Sequence, residues 1–476
     1  MKTSISIRLA TFAFLILFPG LLYAQQYQSH FTPEEFKSRR EKEFDYIGPE
    51  SVALIQGAVD PGGFALPRQN NTFYYLCGVE NTYAYLLIDG KTRTSTLFLD
   101  HNNTRGWDNV LSLSDIDRAI EMTGVENIKP VEELELPRVK TIYTSFSPAE
   151  GSAQQRMELN VRNRKIANDR WDGRPSREKN LIALLSTRYP NSVVSDLSPL
   201  LDEMRSVKSP KEIELLRKAG ELSAMALVEA MKSSESGVYE YQLDAAARYI
   251  FQVNGARGEG YRSITASGVR NISDGHYYYN SDSLKDGDLV LMDYAPDYGY
   301  YTSDIGRMWP VNGKFNDWQR ELCTYILEYH KAVLSRIRPG VFVEDIMAEA
   351  ALAMKPLIDK VGFSKPEYEA AVMKMIESGG GVFSHTVGMA VHDDAYYKGD
   401  VLKAGQVFAV DPQLWVRKEN LYMRVEDTVV VTEDGVEVLT SGAPIELDEI
   451  EKLVKKKGII QQYDVAGEKN MHAGSF

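Results

Sequence analysis

The chain has 476 residues, 43% of them hydrophobic, enough apolar material for two or three cores. Its formal charge of −13 and pI near 5.2 exclude nucleic acid as a partner, because phosphate binding needs a basic surface. No internal repeat, low-complexity tract or polybasic membrane patch is visible.

The first residues, MKTSISIRLATFAFLILFPGLLYAQQ, carry Lys2 and Arg8, then an apolar stretch from Leu9 to Ala24 and a polar switch at Gln25. That is the pattern of a secretory signal peptide over 1–24, so the mature protein is expected to be exported, periplasmic or secreted. The stretch is shorter than the roughly 20 residues a bilayer-spanning helix needs, and no membrane association is expected of the mature chain. Export permits disulfides. Cys77 and Cys323 stand far apart and lack flanking His or basic residues, so both read as buried free thiols.

From 25 to 203 strands and helices alternate, giving an α/β domain. NNTFYYLCGVENTYAYLLIDG and TSTLFLDHN are rich in aromatic and β-branched residues and read as strands, with turns at Asp89-Gly90 and around Asn102-Asn103. LSLSDIDRAIEMTG and PSREKNLIALLSTRYP read as helices. A second domain, 204–450, opens where Ser209, Pro210 and Glu212 form a capping box with proline at the first helical position. Ile213, Leu216, Ala219, Gly220 and Leu227 then recur at helical spacing. A helix near YQLDAAARYIFQVNG, strands, two helices between Trp318 and Lys374 and further strands follow, with a loose tail over 451–476.

The chemistry concentrates in the second domain. DLVLMDYAPDYGYYTSDIGRMWPV holds two strand-like runs around a Tyr298-Gly299 turn. A two-residue turn there pairs Asp297 with Tyr300 and Asp293 with Asp304, setting two carboxylates roughly 4.5–5.5 Å apart at Cβ. Like charges so placed destabilise a sheet unless they share a proton or bind a cation, and a register off by one would turn one of them away. In GGGVFSHTVGMAVHD, His385 and His392 lie in a glycine-containing segment, where backbone can come close to a ligand. LYMRVEDTVVVT alternates so that Tyr422, Arg424 and Glu426 share a face, by itself a surface ion pair. GQVFAVDPQLW ends an apolar run in Asp411-Pro412, by itself a turn signal. Together Asp293, Asp304, His385, Asp411 and Glu426 are four carboxylates and one imidazole, whose repulsion two divalent cations would balance. Oxygen-rich ligation with one nitrogen suits Mn2+, with Co2+, Fe2+ and Zn2+ as alternatives.

This order of residues, together with FYYLCGVE in the first domain and DEMRSVKSPKEIELLRKA at the boundary, resembles the pita-bread metallopeptidases, aminopeptidase P and the related prolidase. The resemblance implies an α/β N-terminal domain followed by an α+β pita-bread catalytic domain of the creatinase/aminopeptidase type. It implies that Asp293 and Asp304 are metal ligands, that Asp304 and Glu426 bridge two ions, and that His385 and Asp411 hold one ion between them. His276, in DGHYYYN, and His392 would be the substrate and transition-state histidines, with Arg424 supporting the ligands. The implied activity is Xaa-Pro aminopeptidase: a metal-activated bridging hydroxide cleaves peptides with proline at the second position, in a homo-oligomer. Three positions depart from the family pattern: Asp411 stands where it has Glu, Gly381 where it has His, and Gly306 where it commonly has a small hydroxyl residue. Asp is one methylene, about 1.5 Å, shorter than Glu. The alternatives are a prolidase acting on dipeptides and a catalytically weakened pita-bread module that binds peptide or protein.

Overall fold

The computed structural model describes residues 30–100, 111–151, 153–393 and 399–463. The expected signal peptide, the turn at Asn102-Asn103 and the tail beyond 463 lie outside them. The N-terminal part is built on a six-stranded mixed sheet in the order Asn127–Pro130, Thr94–Leu99, Tyr85–Asp89, Ser51–Gln56, Thr141–Thr144, Val193–Asp196. One expected strand is a helix. Asn70 accepts a hydrogen bond from the Phe73 amide, and Gly78 closes the segment in the left-handed region, so NTFYYLC folds as the helix Asn71–Cys77. Its aromatic residues are as buried as a strand's would be; the two caps decide the backbone. Helices at Ile116–Thr123 and Arg177–Arg188 form where the sequence places them. Cys77 and Cys323 are buried and form no disulfide, and burial pushes each thiol up to about 12.

The helix Pro33–Ile47 turns an unusual group inward. Glu43 is fully buried, and neither of its carboxylate oxygens has a hydrogen-bond partner. Burial outweighs the nearby charge of Arg40 and pushes the carboxyl up to about 8. Between the ordinary glutamate value and 8, the folded protein keeps a proton that the unfolded chain has released. Stability from this group is therefore full in acid and falls as pH rises through that window. Glu43→Gln is expected to stabilise the fold at pH 7 by on the order of 3 kcal/mol and to flatten this part of the pH dependence. Urea unfolding at pH 5, 7 and 8.5 would check it; an unchanged midpoint difference across the three pH values would contradict the assignment.

The second part opens with the expected capping box. Ser209 Oγ accepts from the Glu212 amide at 3.3 Å, and Glu212 accepts from the Ser209 amide at 2.9 Å, starting the helix Pro210–Lys232. Gly220 in that helix permits close packing, since a Cβ there would stand 2.5 Å from the Leu439 carbonyl oxygen. The main sheet of this part runs Val382–Thr386, Val407–Val410, Glu426–Val431, Ile305–Pro310, Leu289–Asp293, Ile264–Ser267, with Val436–Val438 added on Glu426–Val431. Between Trp318 and Lys374 there are three helices rather than the expected two: Asp317–Leu334, Val343–Val361 and Pro366–Ser378. The second of these ends at Gly362, which has φ +70°, and the third starts with Pro366 at its first position, so the chain breaks between them. No helix among the described residues is long and apolar enough to cross a membrane.

The two parts share a core. Tyr74 of the N-terminal part stacks on Tyr300 with ring centroids 3.5 Å apart, and Phe36, Leu216, Val387 and Met389 belong to the same buried cluster. Burying apolar surface from both parts in one cluster fixes how the N-terminal domain sits against the second part.

Candidate metal centre

The turn that sets the carboxylates is Gly299-Tyr300, one residue beyond the expected one. Both residues have positive φ, +59° and +73°, and Tyr298 and Tyr301 exchange backbone hydrogen bonds of 2.8 and 3.0 Å across it. The register is displaced accordingly: Asp293 faces Gly306, and Gly306 in turn faces Glu426 on the next strand. Asp293 and Asp304 are therefore not directly opposed. Because side chains alternate with period two, a displacement of two residues leaves both carboxylates on one face. Gly306 separates Asp293 from Glu426 in this row, and a Cβ there would lie 3.2 Å from the Glu426 Cβ and 3.4 Å from the Arg424 Cδ.

Asp293, Asp304 and Glu426 bring ligand atoms within 4.8 Å of one another, and so do Asp304, His385 and His392. Asp304 is common to both groups. His385 Nε2 lies 3.4 Å from Asp304 Oδ2, and the His385 and His392 rings are 4.1 Å apart. Arg424 is buried among the acids. It makes contacts of 2.6 Å to Asp293 through Nη1, 2.8 Å to Asp411 through Nε and 2.7 Å to Glu426 through Nη2. Asp411 belongs to neither group of converging ligand atoms. It accepts from Arg424 Nε on one oxygen and from Gln413 Nε2, at 2.8 Å, on the other.

The donors fit divalent cations. Four carboxylates and one guanidinium leave a net charge of −3 (4 − 1) in a water-poor site. Both oxygens of Glu426 are buried; Oε1 has no partner, and Oε2 meets only Arg424 Nη2, at 2.7 Å. Burial, reinforced by Asp293, holds the Asp304 carboxyl well above its ordinary value, and burial does the same to Glu426 against the opposing pull of Arg424. A carboxylate cluster that would rather hold protons is one that a cation stabilises. The histidines are prepared in the opposite sense. Burial pushes His385 down to about 4, and burial with the neighbouring His385 pushes His392 down to about 3. Both are neutral near pH 7, leaving a ring nitrogen lone pair available.

Sequence reasoning missed Tyr261. Its hydroxyl lies 2.6 Å from Asp293 Oδ1 and 2.9 Å from Asp304 Oδ1, and it stays protonated because burial and both carboxylates hold the phenol well above its usual value. The signal was non-local: Gly258–Glu259 pairs with Pro296–Asp297, which carries Tyr261 toward the strand that ends in Asp293. Tyr261→Phe is expected to weaken metal affinity by roughly 10- to 100-fold, measured by competition with a chelating dye, with the fold retained. Unaltered affinity would reduce Tyr261 to a packing residue.

A cleft of about 500 Å³ opens on this cluster. His276, which is exposed, Tyr278 and His392 line its catalytic side, and Gln155, Glu158 and Leu159 at the start of the helix Arg156–Asn168 supply the opposite wall. The N-terminal domain thus closes one side of the cleft. Gly381 lies behind Asp411 with φ +84°, and a Cβ there would stand 2.0 Å from the Asp411 carbonyl oxygen and 2.8 Å from Gln413 Cγ. With this backbone no side chain fits at 381; Gln413 takes the space and supports Asp411.

Residues 214–433 match metallopeptidase family M24, and residues 36–145 match the aminopeptidase P N-terminal domain. The Xaa-Pro aminopeptidase of Escherichia coli strain K12 is 30% identical over 455 residues, covering 90% of this chain and 98% of that protein. The chain belongs to metallopeptidase family M24. Within the family it combines an aminopeptidase P N-terminal domain with the pita-bread catalytic domain, as the sequence resemblance implies. The E. coli aminopeptidase P solved with the inhibitor Pro-Leu matches with a TM-score of 0.71 at 29% identity, over 89% of this chain and 98% of that one. Mitochondrial intermediate cleaving peptidase 55 of Arabidopsis thaliana is 27% identical over 442 residues, covering 88% of this chain and 83% of that protein.

Proposed function

We propose that this M24 metallopeptidase is an exported, metal-dependent Xaa-Pro aminopeptidase. It would remove the N-terminal residue from peptides with proline in the second position, as a homo-oligomer in the periplasm or outside the cell. The observation that carries this reading is the convergence of Asp293, Asp304 and Glu426 with His385 and His392, of which Asp293, Asp304 and His392 line one cleft. Likeness to the E. coli Xaa-Pro aminopeptidase over nearly its whole length supports the same substrate class.

Asp293, Asp304, Glu426 and His385 would hold two divalent ions, Mn2+ first on the oxygen-rich donor set, with Asp411 at the margin. When bound, such a pair supplies a water acidic enough to attack a carbonyl near neutral pH and a Lewis acid for that carbonyl. The chain's own side chains then do the rest. Tyr261 and Arg424 fix the Asp293 and Glu426 carboxylates in direction. His392, neutral and set back in the cleft, would hydrogen-bond the scissile carbonyl oxygen as charge develops there. His276, at the exposed mouth, would hold the prolyl side of the substrate. The scissile nitrogen belongs to proline and carries no hydrogen, so it offers the cleft no donor and must be recognised by ring shape.

The test is hydrolysis of an Xaa-Pro-Xaa tripeptide, followed by release of the free N-terminal amino acid, on protein whose metal content is counted after dialysis against Mn2+. Turnover of the tripeptide is expected. Cleavage confined to dipeptides would favour prolidase. Full occupancy by Mn2+, Co2+ or Zn2+ without turnover of any prolyl peptide would end the enzymatic reading. It would leave a peptide-binding module, which the tie of Asp411 to Arg424 favours.

A further inference from the structure

Behind the two histidines lies a buried ionic cluster that none of the proposed chemistry uses. Arg205, at the end of the helix Ser198–Ser206, is bonded through Nη2 to Asp393 and through Nη1, at 3.2 Å, to Glu150 of the N-terminal domain. Lys208 Nζ stands 3.7 Å from the other Asp393 oxygen. All four side chains are 2% exposed or less. Two acids and two bases balance, yet Lys208 Nζ, Arg205 Nε and one Glu150 oxygen have no hydrogen-bond partner. Burying four charges this incompletely satisfied is costly, and an apolar set of the same volume would hold the domains together at least as well. Directionality is what the charges add: a carboxylate at 393 is stable only where both cations reach it.

That position is next in sequence to His392. The Asp393 amide donates to the Thr386 carbonyl at 2.9 Å, and the Thr386 hydroxyl is bonded to the Asp393 carbonyl, so the chain is pinched shut at 386 and 393. His385 and His392 flank that pinch, which is why residues seven apart bring their rings to 4.1 Å. The loop between them is gripped from both domains. Asn71 Nδ2 donates to the Met389 carbonyl at 3.1 Å, and the Thr302 amide donates to the Gly388 carbonyl at 3.0 Å. A Cβ at Gly388 would stand 2.1 Å from the Asp393 carboxylate, so the loop folds tightly around that group.

We infer that Glu150, Arg205, Lys208 and Asp393 are positioning residues: through the Thr386–Asp393 pinch they set the His385–His392 pair, and through Glu150 they make that setting depend on the seated N-terminal domain. The catalytic consequence rests on the peptidase reading above; the placement of the rings does not.

The test uses the full-length protein, saturated with diamagnetic Zn2+ for the spectra and with Mn2+ for the kinetics, with Glu150→Gln and Asp393→Asn as variants and histidine labelled with 13C at Cε1. The His392 signal is assigned by its loss in His392→Gln. Glu150→Gln is expected to move the His385 and His392 signals while leaving in place that of His330, which is buried against Asp427 at 2.9 Å and does not line the cleft. It should lower kcat on the tripeptide about tenfold, with KM changed less than about twofold, because a small misplacement of an oriented group costs rate rather than binding. Asp393→Asn should do the same more strongly. Should Asp393→Asn fail to fold, Glu150→Gln, which lies outside the cleft, still decides the matter. Unmoved histidine signals with a lowered melting temperature would overturn the inference and leave the cluster as a structural tie. If the unsubstituted protein turns over no peptide, the peptidase reading fails while the histidine signals still judge the positioning claim.

Discussion

Asp304→Asn is expected to reduce tripeptide hydrolysis by about 10³-fold and, in the same protein stripped of metal, to raise the melting temperature. The first effect follows from position. Asp304 is the one residue common to both groups of converging ligand atoms, so its loss affects both ions, and the several kcal/mol of transition-state stabilisation that a metal pair supplies go with it. The second follows from electrostatics. In the absence of a cation, Asp304 is buried beside Asp293 with its carboxyl pushed well above the ordinary range, first by burial and then by its neighbour. Asn removes that unfavourable burial of charge and can still accept from the Tyr261 hydroxyl. The backbone hold on the residue, Asp304 amide to Thr428 Oγ1 at 2.6 Å, does not involve the side chain. A gain on the order of 1–3 kcal/mol in the metal-free state is the expected size. Differential scanning calorimetry with and without chelator, alongside metal counting, reads both effects. A lower melting temperature in chelator, or two ions per chain in the variant, would contradict this account.

How far the sequence foretold this site depends on whether each signal was local. Ser209, Pro210 and Glu212 announced a helix start because a capping box is complete within four residues. The acids and histidines were visible as residue types out of place: an Asp ending an apolar strand, two His in a glycine-containing segment. The misreadings share a cause. NTFYYLC has the aromatic content of a strand, but Asn70 and Gly78, the caps at its two ends, make it a helix. The Asp293–Asp304 pairing was misplaced because DYGYYTSD offers several turn positions, and only the tertiary setting of Tyr300, stacked on Tyr74 of the other domain, selects Gly299-Tyr300. Arg424 was legible as a neighbour of Glu426 along one strand; that it also reaches Asp293 and Asp411 depends on pairing across the sheet. Tyr261 and the Glu150–Arg205–Asp393–Lys208 cluster had no sequence signature, since their partners lie far away along the chain and each residue alone is ordinary.

Asp411→Glu is expected to tighten the weaker of two metal-binding steps by roughly 10- to 100-fold, the range over which groups that orient ligands change affinity. Asp411 is near the cluster but turned from it: one oxygen is engaged by Arg424 Nε, the other by Gln413 Nε2. Burial pushes its carboxyl up to about 6 even against these two donors, so the site holds it charged only at a cost. An added methylene extends its reach by about 1.5 Å, enough to carry a carboxylate past the guanidinium toward Asp304 and His385. The backbone at Gly381 leaves no room for a side chain, and Gln413 fills the space beside it and donates to Asp411. Gln413→Ala should therefore act in the same direction as Asp411→Glu, more weakly, by releasing one of the two donors that turn Asp411 aside. Calorimetric titration of metal-free protein with Mn2+ separates the steps: the first should hardly change while the second tightens. If neither step moves in either variant, Asp411 is an anchor for Arg424, and the second ion, where it binds, is held by His385, Asp304 and Glu426 without it.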